Sequence, residues 1–146
     1  MEKNNLLDLM IDQHALLEAL FFIFKDNAKQ ASENCQRALS DLLWETRKHF
    51  FVEEEAIFNF LAWNDPLISD IIKELKEEHV QMINSLAKMG YALAETSDKD
   101  MESFYNLLKS HRETEEKDLY PVLDKCLTEG QKEQVIARIN QVVIKK

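Results

Sequence analysis

The sequence predicts an all-α protein: an up-down-up-down four-helix bundle with a short C-terminal accessory helix. Three observations lead there. Only 2 Gly and 2 Pro occur in 146 residues, against roughly 10 and 7 from average usage, which leaves too few turn-formers for a β-sandwich or a doubly wound sheet. Apolar residues recur at the helical period, and no strand alternation competes with them. The breaks between periodic segments are short, and short connections force neighbouring helices antiparallel.

The first helix is expected from about Asn4 to Gln30, on a stripe of Leu6, Leu7, Met10, Leu17, Leu20 and Phe21. A second spans about Glu33 to Ala62 through Leu39, Leu42, Leu43, Phe50, Ile57 and Phe60. Trp63-Asn64-Asp65-Pro66 then breaks the chain and restarts it, with Asp65 as N-cap and Pro66 at the first helical position. The third helix runs on to about Glu95 through Leu67, Ile68, Ile71, Leu75, Met82 and Leu86. Ser97 caps the fourth, expected from about Asp98 to Leu119 and to stop near Pro121. Thr128-Glu129-Gly130-Gln131 has capping-box spacing and opens the accessory helix, about 129–144, with Val135, Ile136, Ile139, Val142 and Val143 on one side. Residues 1–146 read as a single domain whose bundle covers about 4–121. The accessory helix could face the bundle, a protein partner or a second copy of the chain.

The formal charge is −9. A protein that tracks nucleic-acid phosphates needs a basic surface, so no nucleic-acid partner is expected. The longest apolar run, Ala19 to Phe24, falls far short of the ~20 residues that span a bilayer. The opening Met-Glu-Lys-Asn-Asn lacks the features of a secretory signal. Cys35 and Cys126 are too few for a disulfide framework or a four-thiolate metal site, and read as ordinary thiols. A cytoplasmic protein without membrane attachment is the expectation. The phenylalanines Phe21, Phe22, Phe24, Phe50, Phe51, Phe58 and Phe60 read as core.

The four histidines carry the chemistry. His14, His49, His79 and His111 fall one on each long helix, each inside its apolar stripe. Counted from the turns, they lie roughly 17 and 18 residues from the first, 14 and 16 from the second, and 18 and 14 from the third. At ~1.5 Å per residue those mismatches stay within about a turn, so the imidazoles should share one layer. Glu53 and Glu115 follow His49 and His111 at i+4 and therefore also face inward. Buried carboxylates without a lysine or arginine partner are unstable or lose their charge. A pair of cations resolves this interior: each takes two imidazoles, and both carboxylates bridge them. A single core histidine is more often a hydrogen-bonded structural group than a ligand; four at one level are not explained that way. Imidazole and carboxylate without thiolate suit iron, with manganese as the other candidate.

His14, His49-x-x-x-Glu53, His79 and His111-x-x-x-Glu115, with the phrases His49-Phe50-Phe51-Val52-Glu53-Glu54 and Glu115-Glu116 before Leu119-Tyr120-Pro121, resemble the hemerythrin-like HHE cation-binding family. The resemblance implies a non-haem, oxo- or hydroxo-bridged di-iron centre and a small ligand such as O2, NO or peroxide. Oxygen-carrying members have a fifth histidine one turn from the third; Leu75 and Ile83 stand there in this chain. Each iron would then keep an accessible position, and reversible oxygen carriage is not implied. Those carriers place the last carboxylate at i+5, where Glu116 stands, whereas ~40° from His111 for i+4 against ~140° for i+5 favours Glu115. The set is closer to the four-His, two-Glu branch that includes iron-cluster repair proteins active under nitrosative and oxidative stress. Glu45 and Glu78 match acidic positions along a polar route to the metals in that branch. Glu18, at i+4 from His14, is a further carboxylate near the layer. Carrier, sensor and enzyme remain open readings. The alternative is a helical interaction module whose metal site is structural or vestigial.

Overall fold

The structure, a computed structural model, describes residues 5–30, 32–60 and 63–141. It is all-helical among those residues. Helix α1 spans Leu6–Lys29 and is capped by Asn5, whose side chain accepts from the Asp8 amide at 2.8 Å. Helix α2 spans Cys35–Glu53 and passes into a π-helical turn, Glu54–Phe58. Helix α3, Pro66–Tyr91, starts on the expected Asp65 cap with Pro66 in its first turn, and a 3-10 turn, Leu93–Glu95, follows it. Helix α4, Asp98–Thr114, opens on a capping box between Ser97 and Asp100. A second π-helical turn, Glu115–Leu119, leads into α5, Tyr120–Cys126. Helix α6, Glu129–Gln141, follows the Thr128–Gln131 capping box. Asn4, Ala62, Val142 and Val143 lie outside the described residues.

The chain does not stop at Pro121. The π turn shifts the helical register just before it, and Pro121 falls in the first turn of α5, where its missing N–H costs little. The continuation has a purpose at the other end of the chain. The Asp124 carboxylate on α5 accepts from the Leu6 and Leu7 amides at 2.9 and 3.1 Å, satisfying donors that the first turn of α1 leaves free.

Helices α1 to α4 pack as a ring, each against the next and α4 against α1; α5 packs on α1, and α6 on the π turn after α2. The core divides into two apolar clusters. One holds Leu6 and Met10 of α1, Ala56 to Phe58 after α2, Ile72 and Leu75 of α3, and Leu119, Tyr120 and Leu123, closed over by Val135 and Ile139 of α6. The other holds Phe21 and Phe24, Leu39 and Leu42, Met82 and Leu86, and Met101 and Phe104. On α1 and α3 the first cluster precedes the histidine and the second follows; on α2 and α4 the order reverses, apart from Phe50 beside His49.

The aromatic expectation needs correction. Phe21, Phe24, Phe50 and Phe58 are buried, but Phe22, Phe51 and Phe60 are exposed. Adjacent helical residues point about 100° apart, so Phe22 and Phe51 turn away when Phe21 and Phe50 turn in. Leu67, placed on the expected stripe of α3, is 70% exposed at the start of that helix. No helix among the described residues is long and apolar enough to cross a membrane.

Candidate metal centre

Between the two clusters lies a polar layer. His14, His49, Glu53, His79, His111 and Glu115 are all buried, both glutamates completely. They arrive from four helices because each occupies the inward position of its own stripe, flanked by Met10 and Leu17, Thr46 and Phe50, Leu75 and Met82, and Leu108. The rings pair across the bundle, His14 with His49 at 5.2 Å between centroids and His79 with His111 at 4.9 Å. Phe50 stacks on His79 at 3.8 Å and fixes its plane.

Every imidazole is held from behind. The Nδ1 atoms of His14, His79 and His111 donate to Glu116 at 2.7 Å, Glu54 at 3.0 Å and Glu78 at 2.7 Å, and His49 Nδ1 donates to the Gln13 amide oxygen at 2.6 Å. This fixes the tautomer and turns all four Nε2 atoms to the middle of the layer. There they meet carboxylate oxygens: His14 Nε2 is 3.0 Å and His111 Nε2 3.3 Å from Glu115 Oε1, and His79 Nε2 is 2.8 Å from Glu53 Oε1. These approaches lack the alignment of hydrogen bonds. All four Nε2 atoms, Glu53 Oε1 and both Glu115 oxygens are buried without a hydrogen-bond partner. Such orphaned groups cost on the order of 1–3 kcal/mol each, more when charged. The opposite Glu53 oxygen accepts from the buried Tyr120 hydroxyl at 2.5 Å.

The two π turns explain how Tyr120 reaches the layer. In an α-helix, residues five apart point about 140° from each other. The wider turn, closed by Asn59 N–H donating to the Glu54 carbonyl at 2.8 Å, lets Glu53 and Phe58 both face inward. Its twin does the same for Glu115 and Tyr120. Phe58 stacks over His79, and Tyr120 bonds Glu53.

Protons distribute unevenly over this layer. Burial drives His49 down to about 3; Glu53 opposes that, while the other three imidazoles add to it. At His111 burial is outweighed by the Glu115 carboxylate, helped by Glu78 and Glu53, and the ring is pushed up to about 10. His14 and His79 are raised in the same way, against burial, by Glu115 and Glu116 and by Glu53 and Glu54. Burial alone would raise Glu115, but Glu53, His111 and His14 beside it hold it well below the usual carboxylate range. Burial, then the Glu53 and Glu115 charges, pushes Tyr120 far up, so it remains a donor.

The donor set fits cations. His14, His49, Glu53 and Glu115 form one group able to hold an ion, and His79, His111, Glu53 and Glu115 form a second; within each group the donor atoms lie within 4.8 Å of one another. The groups share both glutamates. Glu115 stands inside the layer, while Glu116 backs His14 from its edge. Glu78 backs His111. Among the described residues Glu18 makes its bonds away from the histidines: it accepts from Tyr105 at 3.1 Å and pairs with Arg112 on the α1–α4 seam. Glu45 makes no bond to the layer and lines a cleft with Gln13, Lys48 and His49. Sequence reasoning missed Gln13, Glu54 and Tyr120. The first two had a signal: Gln13 precedes His14 as Glu78 precedes His79, and Glu54 follows Glu53 as Glu116 follows Glu115.

A helical bundle with a buried imidazole and carboxylate layer defines the class, a helical metal-binding domain. Residues 5–123 match the hemerythrin HHE cation binding domain, and the chain belongs to that family. Helix α6 lies beyond the matched segment. No curated protein and no solved structure matches the chain.

Proposed function

We propose that the protein holds two iron ions, with manganese as the other candidate, and that it binds, senses or reacts with a small oxidant such as O2, NO or peroxide. His14 and His49 hold one ion, His79 and His111 the other, and Glu53 and Glu115 bridge them. The observation that carries this reading is the set of unpartnered Nε2 and carboxylate oxygen atoms, which fall into two groups sharing both glutamates. Two imidazoles and two bridging carboxylates leave coordination positions open on each ion. The bound metals would supply redox chemistry and these open positions.

The chain supplies the rest. The four Nδ1 bonds fix ring orientation and leave each Nε2 as the nitrogen that would take a metal, with any proton there given up on binding. Phe50 and Phe58 keep water from the His79 side. A narrow cavity reaches His14, His49 and His111 from the α1–α4 seam, roofed by Glu18, Tyr105 and Arg112, and it suits only a ligand of a few atoms. The reversal of cluster order between alternate helices supports the up-down-up-down connectivity.

Anaerobic loading with ferrous ion, followed by exposure to O2, NO or peroxide, tests the oxidant reading. The expected result is a change in the visible spectrum with at least one of the three. A loaded protein inert to all of them would refute that reading. The interaction-module alternative predicts that chelators leave melting temperature and helicity unchanged. The seven imidazole nitrogen and carboxylate oxygen atoms of the layer that are buried without a hydrogen-bond partner weigh against it.

A further inference from the structure

The hydrogen bonds behind the histidines follow an approximate two-fold repeat that relates α1–α2 to α3–α4. The residue before the histidine on α1 accepts from the histidine of α2, as the residue before the histidine on α3 accepts from that of α4: Gln13 with His49, Glu78 with His111. The residue after each bridging glutamate accepts from the histidine of the next helix in the ring: Glu54 with His79, Glu116 with His14. Three of the four acceptors are carboxylates. The fourth, Gln13, is a neutral amide.

A carboxylate behind an imidazole draws its Nδ1 proton and makes Nε2 a stronger donor; an amide oxygen does so less. The repeat is also broken at its fifth position. Tyr120 occupies the place that Phe58 holds in the other half, and its hydroxyl donates to Glu53 Oε2, the oxygen 3.9 Å from His49 Nε2. The other Glu53 oxygen faces His79. Gln13 gives His49 less electron density than a carboxylate would, and Tyr120 draws density from the Glu53 oxygen nearest His49, so both departures weaken the donors on the same side of the layer.

We infer that the two metal positions are unequal by construction. The His14–His49 position binds its ion more weakly and exchanges it first, and Gln13 and Tyr120 set the difference. This rests on the two-ion reading above. Gln13 and Tyr120 act as positioning residues, through His49 and Glu53.

Anaerobic titration of the full chain with ferrous ion against a competing chelator would give the stepwise dissociation constants, and Mössbauer spectra at one and two equivalents would show which environment fills first. The wild-type chain is expected to show two constants at least about tenfold apart, and a second quadrupole doublet only with the second equivalent. Gln13→Glu should tighten the weaker constant about tenfold and leave the tighter one in place. Glu78→Gln should loosen the tighter constant by a similar factor, and this provides the check if Gln13→Glu does not fold. Two ions bound with equal constants, or constants unmoved by both substitutions, would overturn the inference while leaving the two-ion reading intact. Fewer than two ions bound would overturn both.

Discussion

The apolar clusters and the polar layer between them are built from the same four helices to opposite ends. In the clusters each buried side chain gains by leaving water, and Phe21, Phe24, Leu86 and Phe104 are packed almost without exposure. In the layer, four imidazoles and two carboxylates lose hydration, and the bonds formed behind the rings do not satisfy the atoms in front. Removal of water from charged groups is repaid only where every remaining lone pair and proton finds a partner. The clusters therefore hold the bundle together whether or not metal is present. The layer draws on that stability and returns it only when cations bind.

The largest effect that separates the two regions is expected in a cluster. Phe104→Ala, about two turns from His111 on α4, should cost about 3–5 kcal/mol in chemical denaturation. The loss should be equal with and without metal, because no ligand moves. A loss confined to the loaded protein would show that the regions are not separable in this way.

Metal removal is next. Ligands bound only by the folded chain stabilise it by mass action, about 4 kcal/mol at a thousandfold excess over the dissociation constant. Chelation should therefore lower the melting temperature by several degrees while helicity at 25 °C survives. Tyr120→Phe should cost about 1–3 kcal/mol, since it leaves a buried Glu53 oxygen without its donor. Calorimetry on both forms would check the two together.

The metal-free chain should also respond to pH through the layer. The folded-state value of His49 lies below its usual 6.5, so between 6.5 and about 3 the unfolded chain binds more protons there and stability falls with falling pH. His111 is shifted the other way: from 6.5 to about 10 the folded chain holds the extra proton, and stability falls as pH rises. Glu115, held low, adds to the acid loss below its usual range. A stability maximum near pH 6.5 is expected in denaturation series on chelated protein, and a flat profile would contradict the proton distribution. The smallest effect belongs to neither region. Ser97→Ala removes the α4 cap and should cost about 1 kcal/mol independently of metal.

How much was legible in the sequence follows from the same contrast. Helical period and turn counting place His14, His49, His79 and His111 at one level, and i+4 spacing brings in Glu53 and Glu115, because these depend only on each helix's own geometry. Gln13 and Glu54 escape, since each lies off its own stripe and matters through the neighbouring helix. Tyr120 escapes because a π turn, not visible in the periodicity, rotates it inward. That turn also carries the helix past Pro121, where the sequence suggests a stop.

The most direct test of the central claim is a count of metal per chain after anaerobic ferrous loading and removal of unbound ion. The account predicts two ions, with loss of metal on replacing any of His14, His49, His79 or His111 by alanine. A stoichiometry well below two, or full retention in all four variants, would contradict it.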